Sequence, residues 1–381
     1  MCPRDGIHLM TTENYLPEEF IENAWYVAAW DHEIGPDALF ARTLLGKPLV
    51  FYRREDGGVV AMDDRCCHRA APLSIGRKEG DCVRCLYHGL KFDPQGVCVE
   101  MPGQERIPPM ARVRTYPVVE RDRFVWVWMG APEQADPSTI LSFFWHASPE
   151  WAMKPGYIHY QAHVQLVVDN LLDFAHLSYV HPTTLGTARN AQVKAQVEAI
   201  DGGLRITRWA LDDEMPPNHQ RVARFEGRVD RWQIYEWHPP AFMRMDAGSA
   251  PAGTGAPEGR IAEVAMKFRH TSVQTPETAR TAHYFFCQAR NFELDNAAMI
   301  EAIFQDVSTA FAEDRTMIEA QQKILDATPG FRPVATVHDQ ALNMARHLVR
   351  KRLEEEVRTA ATPAASGVVP IMVAAAEGVK S

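Results

Sequence analysis

Four side chains between positions 66 and 88 have the types and the spacing to hold a metal cluster. The segment CCHRAAPLSIGRKEGDCVRCLYHG carries C-x-H at Cys66 and His68, then C-x-x-H at Cys85 and His88. Each half offers one thiolate and one imidazole within a short turn, so two loops can grip opposite sides of one compact centre. A two-iron, two-sulfur cluster with two cysteines on one iron and two histidines on the other needs this mixed donor set. The imidazoles raise its reduction potential above that of an all-cysteine cluster. Gly89 after the second pair, with Pro72 and Gly76 between the pairs, suits loops that pass close to an inorganic core. A zinc site is the competing reading, because Cys82 and Cys85 form a C-x-x-C that His68 or His88 could complete. Cys67 and Cys82 are the ambiguous neighbours, since a spare cysteine on a strand is more often a small buried apolar residue than a ligand.

A second constellation lies about a hundred residues on, where DNLLDFAHLSYVHPTTLG carries Asp173, His176 and His181 as D-x-x-H-x-x-x-x-H. On one helix Asp173 and His176 share a face, and Pro182 ends the helix just after His181. Two histidines from a helix and its frayed end can take adjacent positions on a metal. One carboxylate then completes a facial triad that leaves positions open for oxygen and substrate. Asp314 is the candidate, because the helix expected over 296–326 puts it on one stripe with Ile300, Ile303, Phe304, Val307, Phe311 and Ile318. An unpaired carboxylate on an apolar face costs several kcal/mol, so it needs a cation, either a metal or a nearby arginine. Glu313 and Asp306 are expected on the opposite, solvated face.

The elements that must position these residues fall into two groups. From Asn23 to Met129 short β segments (WYVAAW, ARTLLG, PLVFYRR, GVVAMDD, GLKFD, VCVEMPG, FVWVWMG) alternate with Gly, Pro and Asp, which predicts a small antiparallel β domain. APEQADPS at 131–138 is the expected linker. Beyond it, 165–181 reads as helix, 203–290 as strands, including GLRITRWAL, RWQIYEW, AEVAMKFRHTSV and AHYFFCQARNF, and 296–326 and 338–357 as helices. The chain of 381 residues, 46% hydrophobic and 23% charged, is long enough for two ordinary domains. A net charge of -9 argues against nucleic acid or an anionic membrane as the main partner. No signal-like segment and no run of eighteen apolar residues is present, so a cytoplasmic protein without membrane association is expected. Five of the seven cysteines fall between Cys66 and Cys98, which suits metal ligation better than disulfides. The Ala-, Pro- and Gly-rich tail from Thr359 is expected to be mostly disordered.

From about Asn23 through Leu353 the sequence closely resembles the oxygenase subunits of Rieske non-haem iron oxygenases. The similar branch contains vanillate O-demethylase, dicamba O-demethylase and toluene-4-sulfonate methyl-monooxygenase. RCCHRAAPLSIG, CLYHGLKFDPQG, VEMPGQ, FVWVWMG, DNLLDFAHLSYVH and FAEDRTMIEAQQ carry the resemblance, together with NAWYVAAW, TPET at 275–278 and ARNF at 289–292. It implies an α+β protein in which an all-β Rieske domain (21–130) follows a leader (1–20). A catalytic domain (131–357) built on an antiparallel sheet with flanking helices comes next, then a tail (358–381). It implies that Cys66, His68, Cys85 and His88 hold a 2Fe-2S cluster and that His176, His181 and Asp314 hold one mononuclear Fe(II).

The resemblance further implies a head-to-tail homotrimer, a heterologous interface closed by threefold symmetry. In it Asp173, a catalytic residue, bridges His176 of its own chain and His88 of the neighbour, with Asn170 in support. One departure is Cys67, which stands where the family commonly has proline. The implied activity is that of a terminal oxygenase that hydroxylates a methyl or methoxy substituent of an aromatic acid with O2. A methoxy group leaves as formaldehyde, whereas an aryl methyl group stays as the alcohol. WHASPEW at 145–151 and KPGYIHYQ at 154–161 lean toward the toluenesulfonate side. No G-x-G-x-x-G follows a strand, so NAD(P)H serves indirectly, through a separate reductase carrying flavin and an iron-sulfur centre. A ring-hydroxylating dioxygenase of the same family and a Rieske electron carrier are the alternatives. The carrier leaves His176, His181 and Asp314 unexplained. An anionic substrate needs a cationic or amide partner; His270, Arg244 and Asn291 are available in the 203–310 region, each as readily structural.

Overall fold

The computed structural model describes residues 16 to 361, with side chains to 359. Runs of β-branched and aromatic residues build eleven strands before residue 129. They are β1 (Trp25–Trp30), β2 (Phe40–Leu44), β3 (Lys47–Arg53), β4 (Val59–Asp63), β5 (Arg77–Glu79), β6 (Cys82–Arg84), β7 (Lys91–Phe92), β8 (Cys98–Glu100), β9 (Thr115–Tyr116), β10 (Val118–Arg121) and β11 (Phe124–Trp128). They form sheets ordered β2-β3-β4-β9, β5-β6-β7-β8 and β1-β11-β10. Strands β1 and β11 are buried along their whole length, which explains why WYVAAW and FVWVW show no polar alternation. One face, through Tyr26, Val125 and Val127, packs with Leu49 and Phe51 of the N-terminal core. The other, through Trp25, Val27, Trp30, Phe124 and Trp126, packs with Phe242, Val273 and Phe285 of the second half. The small sheet is therefore the seam between the two halves.

The second half runs β12 (Gly156–Tyr160), α1 (Val164–Leu172), α2 (Leu177–Val180), β13 (Gln196–Ile200), β14 (Gly203–Asp213), α3 (Pro217–Gln220), β15 (Val229–His238), β16 (Phe242–Pro251), β17 (Met266–Thr278), β18 (Thr281–Arg290), α4 (Ala297–Ala327) and α5 (Gln340–Ala361). Its seven strands form one antiparallel sheet ordered β12-β18-β17-β16-β15-β14-β13, so the expected α+β class is observed. Side chains alternate across it. Leu204, Ile206, Tyr235, Trp237, Met243, Tyr284 and Phe286 share the face covered by α1, α4 and α5. The same alternation carries Arg208, Arg231, Gln233, Ser249, His270 and Gln288 onto that face.

Helix α5 binds the halves together. Arg346 forms a buried ion pair with Asp169 of α1, Val349 and Leu353 pack on the N-terminal core, and Glu356 accepts the backbone N–H groups of Glu22 and Asn23 at 2.9 and 2.7 Å.

Four sequence expectations change or sharpen. The helix expected over 165–181 is broken at Asp173. APEQADPS is not a free tether but two tight turns, Pro132–Gln134 and Pro137–Thr139, anchored by the indole N–H groups of Trp128 and Trp25 on the carbonyls of Ala131 and Asp136. The strand β16, FMRMDAGSAP, lies within 203–290 but was not singled out there because of its polar residues. At Gly248 within it a Cβ would lie 2.2 Å from the Trp232 ring, so a side chain is excluded there. Finally, α5 continues to Ala361, and the rest of the tail lies outside the described residues, as does most of the 1–20 leader.

Candidate metal centres

The two Cys/His loops are built alike. Cys66 donates its N–H to the Ala71 carbonyl and accepts from the N–H of Ala70; Cys85 donates to the Leu90 carbonyl and accepts from the N–H of Gly89. The fourth residue after each cysteine has positive φ, +56° at Ala70 and +77° at Gly89. At Gly89 a Cβ would also lie 2.8 Å from Pro102, which fixes the residue as glycine. These turns put both sulfurs inside and both imidazoles at the rim. Cys66 and Cys85 are buried, whereas His68 and His88 are exposed with ring centroids 4.5 Å apart. Burial, with the adjacent Cys85 sulfur, pushes the Cys66 thiol up to about 11. Two buried cysteine sulfurs side by side ligate only as thiolates, a form that a bound cation such as an iron pair would stabilise. Cys67 is exposed at the loop surface and Cys82 lies on β6, half-buried.

The second centre assembles from three elements. Helix α1 ends at Leu172, and Asp173 caps the next turn, Phe174–His176, by accepting the Ala175 N–H at 2.8 Å. That turn aims His176 inward. After α2 the chain leaves the helix at His181, which is fully buried. Helix α4 supplies Asp314, 3% exposed, on its apolar stripe as expected.

Ligand atoms of His176, His181 and Asp314 lie within 4.8 Å of one another. Asp314 Oδ1 is 3.0 Å from His181 Nε2 and 3.5 Å from His176 Nε2, and accepts a hydrogen bond from Asn170 Nδ2 at 3.0 Å. Each imidazole is held by its other nitrogen. His176 Nδ1 bonds the Asp173 carbonyl, and His181 Nδ1 bonds Glu313 Oε2 at 2.7 Å. With Nδ1 engaged, both Nε2 atoms face one point with the carboxylate, a donor set that suits iron(II). Burial depresses His176 despite the pull of Asp314, leaving it neutral and ready to ligate. Burial works the same way on His181, but Asp314 and Glu313 outweigh it and hold that ring above its ordinary value. His181 must shed a proton to ligate.

Three second-rank assignments are corrected. Glu313 is not a solvated residue: a neighbouring position on α4 brings it to His181. Asp306 is buried and paired with Arg221. The Asp173 carboxylate does not contact His176; the Asp173 backbone carbonyl does, and Asn170 supports Asp314 rather than Asp173. Of the three candidate anion partners, Arg244 pairs with Glu236 and Asn291 is exposed. His270 alone lies on the helix-covered sheet face, its ring 5.7 Å from that of Phe311 and its Nδ1 buried without a hydrogen-bond partner. Near it only a narrow crevice remains between α4 and the sheet, lined by Asn218, Phe268, Gln288, Ile303, Asp306 and Val307.

Residues 24–117 match the family model of the Rieske [2Fe-2S] domain, and residues 160–355 that of the vanillate O-demethylase oxygenase C-terminal domain. The chain belongs to the Rieske non-haem iron oxygenases. This Rieske oxygenase is 61% identical over 340 residues to a toluene-4-sulfonate monooxygenase system iron-sulfur subunit of Comamonas testosteroni, covering 88% of this chain and 98% of that one. It is 38% identical to a vanillate O-demethylase oxygenase subunit of a Pseudomonas species, covering 81% and 88%. The crystal structure of dicamba monooxygenase bound to dicamba superposes with a TM-score of 0.81 at 33% identity, covering 89% of this chain and 99% of that one. Like these relatives, this Rieske oxygenase is the oxygenase component of a monooxygenase system. Among the described residues no helix is long and apolar enough to cross a membrane.

Proposed function

We propose that this oxygenase hydroxylates the methyl or methoxy carbon of an aromatic sulfonate or carboxylate, and that an aryl methyl group is its first preference. The convergence of His176, His181 and Asp314 beneath the helix-covered sheet face carries the proposal, because an electron carrier needs no such site. Cys66, His68, Cys85 and His88 hold the cluster in this reading, and the triad holds iron(II). When bound, the iron activates O2 with electrons relayed from the cluster. The chain's own residues do the rest. Glu313 and the Asp173 carbonyl fix the imidazole tautomers, Asn170 holds the Asp314 carboxylate in place, and Phe311 and Val307 present an apolar wall against which a ring can lie. His270, held neutral by burial at about 4, offers a polar contact on that face.

Similarity to the toluene-4-sulfonate enzyme at 61% identity, well above the 38% and 36% to the vanillate and dicamba demethylases, supports aryl methyl hydroxylation. A separate reductase supplies electrons from NAD(P)H. Three copies close head to tail, with His88 of one chain against Asp173 of the next. Exposed Leu86, Tyr87 and Ile75 around the cluster, and exposed Tyr179 beside His176, support such burial by a second copy. Free cysteines throughout the described residues fit a cytoplasmic setting.

The deciding experiment supplies a compatible reductase and measures oxygen uptake with toluene-4-sulfonate, 4-methylbenzoate and methoxybenzoates, with formaldehyde and alcohol products assayed in parallel. Alcohol from the methyl substrates is expected. Protein that carries zinc and no iron, or lacks a Rieske EPR signal after reduction, sinks the proposal.

A further inference from the structure

Among the described residues, no carboxylate is bonded to two buried arginines on the covered sheet face. Arg208 on β14 and Arg231 on β15 are 4% and 7% exposed. Arg208 spends only Nη2, on the carbonyls of Asn190 at 2.6 Å and Val193 at 3.4 Å; its Nε and Nη1 are buried and make no hydrogen bond. Arg231 makes two long contacts, to Asn190 Oδ1 at 3.4 Å and the Leu185 carbonyl at 3.5 Å. The acids whose charge reaches the pair are Asp213, on Arg231, and Asp173, on Arg208; Asp213 gives its oxygens to Thr187 Oγ1 and the N–H of Glu214, and Asp173 accepts the N–H of Ala175. Between the arginines lies a narrow gap with room for about one water, lined by Asn190, Val193, Ala210 and Gln233. Burying a guanidinium with idle donors is costly, and two together repel. The crowding shows in Arg231, which burial and Arg208 push down to about 10.

The gap is attached to the candidate iron site at two points. The Arg208 guanidinium lies 5.7 Å from the Phe174 ring, two residues before His176. Leu185, whose carbonyl faces Arg231, is four residues after His181, and the Gly186 N–H bonds the His181 carbonyl. The segment that carries both histidines therefore starts and ends on this pair.

We propose that Arg208 and Arg231 form an anion subsite that takes the sulfonate or carboxylate of the aromatic substrate, with Asn190 and Gln233 as flanking amides. Planar guanidinium forks match such oxyanions with paired hydrogen bonds, and an incoming anion engages the idle Arg208 donors. This rests on the reading of the chain as an oxygenase of aromatic anions, and it names the residues that select the anion.

The test is equilibrium binding to iron-loaded holoenzyme under anaerobic conditions, by calorimetry, of toluene-4-sulfonate, 4-methylbenzoate and the neutral toluene-4-sulfonamide. Arg208→Met and Arg231→Met are expected to weaken both anions about tenfold or more while leaving the sulfonamide within about twofold, as loss of a charge-assisted hydrogen bond predicts. Arg208→Lys, which keeps the charge without the fork, is expected to fall between. It also carries the comparison if a methionine variant fails to accumulate with its cluster. Equal weakening of charged and neutral ligands would mean the arginines only pin the 185–193 loop, and unchanged anion binding would mean they do not face the ligand; either overturns the subsite. If the unaltered enzyme binds none of these anions, the aromatic-anion reading falls first and the subsite with it.

Discussion

Glu313 and the Asp173 carbonyl hold the two histidines of the candidate iron site by Nδ1, and partners of that kind tune metal retention by about ten- to a hundredfold. Glu313→Ala should accordingly lose iron to a chelator that leaves the parent loaded, with the cluster's EPR signal unchanged; equal iron retention would remove the orienting role. His176→Ala, His181→Ala and Asp314→Ala should each abolish product and likewise spare the cluster. Cys67→Ser should keep the cluster, and its loss would show that the wrong cysteine was assigned. At this scale the ligands were readable because each Cys/His pair is local in sequence. Glu313 was not, because its partner stands 132 positions away and helix periodicity alone places it on the solvated side.

Among the elements, the break after α1 sets the direction of His176. Asp173→Asn keeps a side-chain acceptor for the Ala175 N–H, so it should preserve both metals and the fold while slowing electron transfer between subunits, as read by single-turnover kinetics. Normal transfer in that variant removes the proposed bridge to His88. Phe311 of α4 meets the rings of His270, Tyr284 and Phe286, and Phe311→Ala should cost about 3 to 5 kcal/mol in unfolding free energy. The long helix α4 was legible from its apolar stripe, and the β18 strand from its aromatics. The break at Asp173 carries no glycine or proline, and a capping Asp inside an apolar run reads as continuous helix. Strand β16 was not singled out for the opposite reason: its Arg, Asp, Gly and Ser residues look like loop, yet it lies between β15 and β17, where Asp246 pairs with Arg269 and Gly248 admits the Trp232 ring.

Across the whole molecule buried histidines are held neutral chiefly by burial, His146 at about 3, His163, His270 and His283 at about 4, and His219 well below its ordinary value. The unfolded chain binds their protons near the ordinary value of about 6.5, so below that pH it takes up protons the folded chain refuses. Their contribution to stability is complete above about pH 6.5 and is lost as the pH falls toward 4. The thermal midpoint should fall steadily from pH 7 to pH 5, and His146→Gln should flatten that slope; a flat profile in the parent contradicts the burial argument. Domain order was visible in the sequence, but the joint was not, because WYVAAW and FVWVW read as two core strands without revealing that their faces serve different cores. That joint has a kinetic meaning. With β1 and β11 packed on one core through Tyr26, Val125 and Val127 and on the other through their indole rings, and α5 strapped across both, the two halves are joined along a shared seam. A swing of one half against the other is then not what gates turnover, and viscous cosolvents that retard diffusive domain motion should leave the rate of reduction at the catalytic site unaltered.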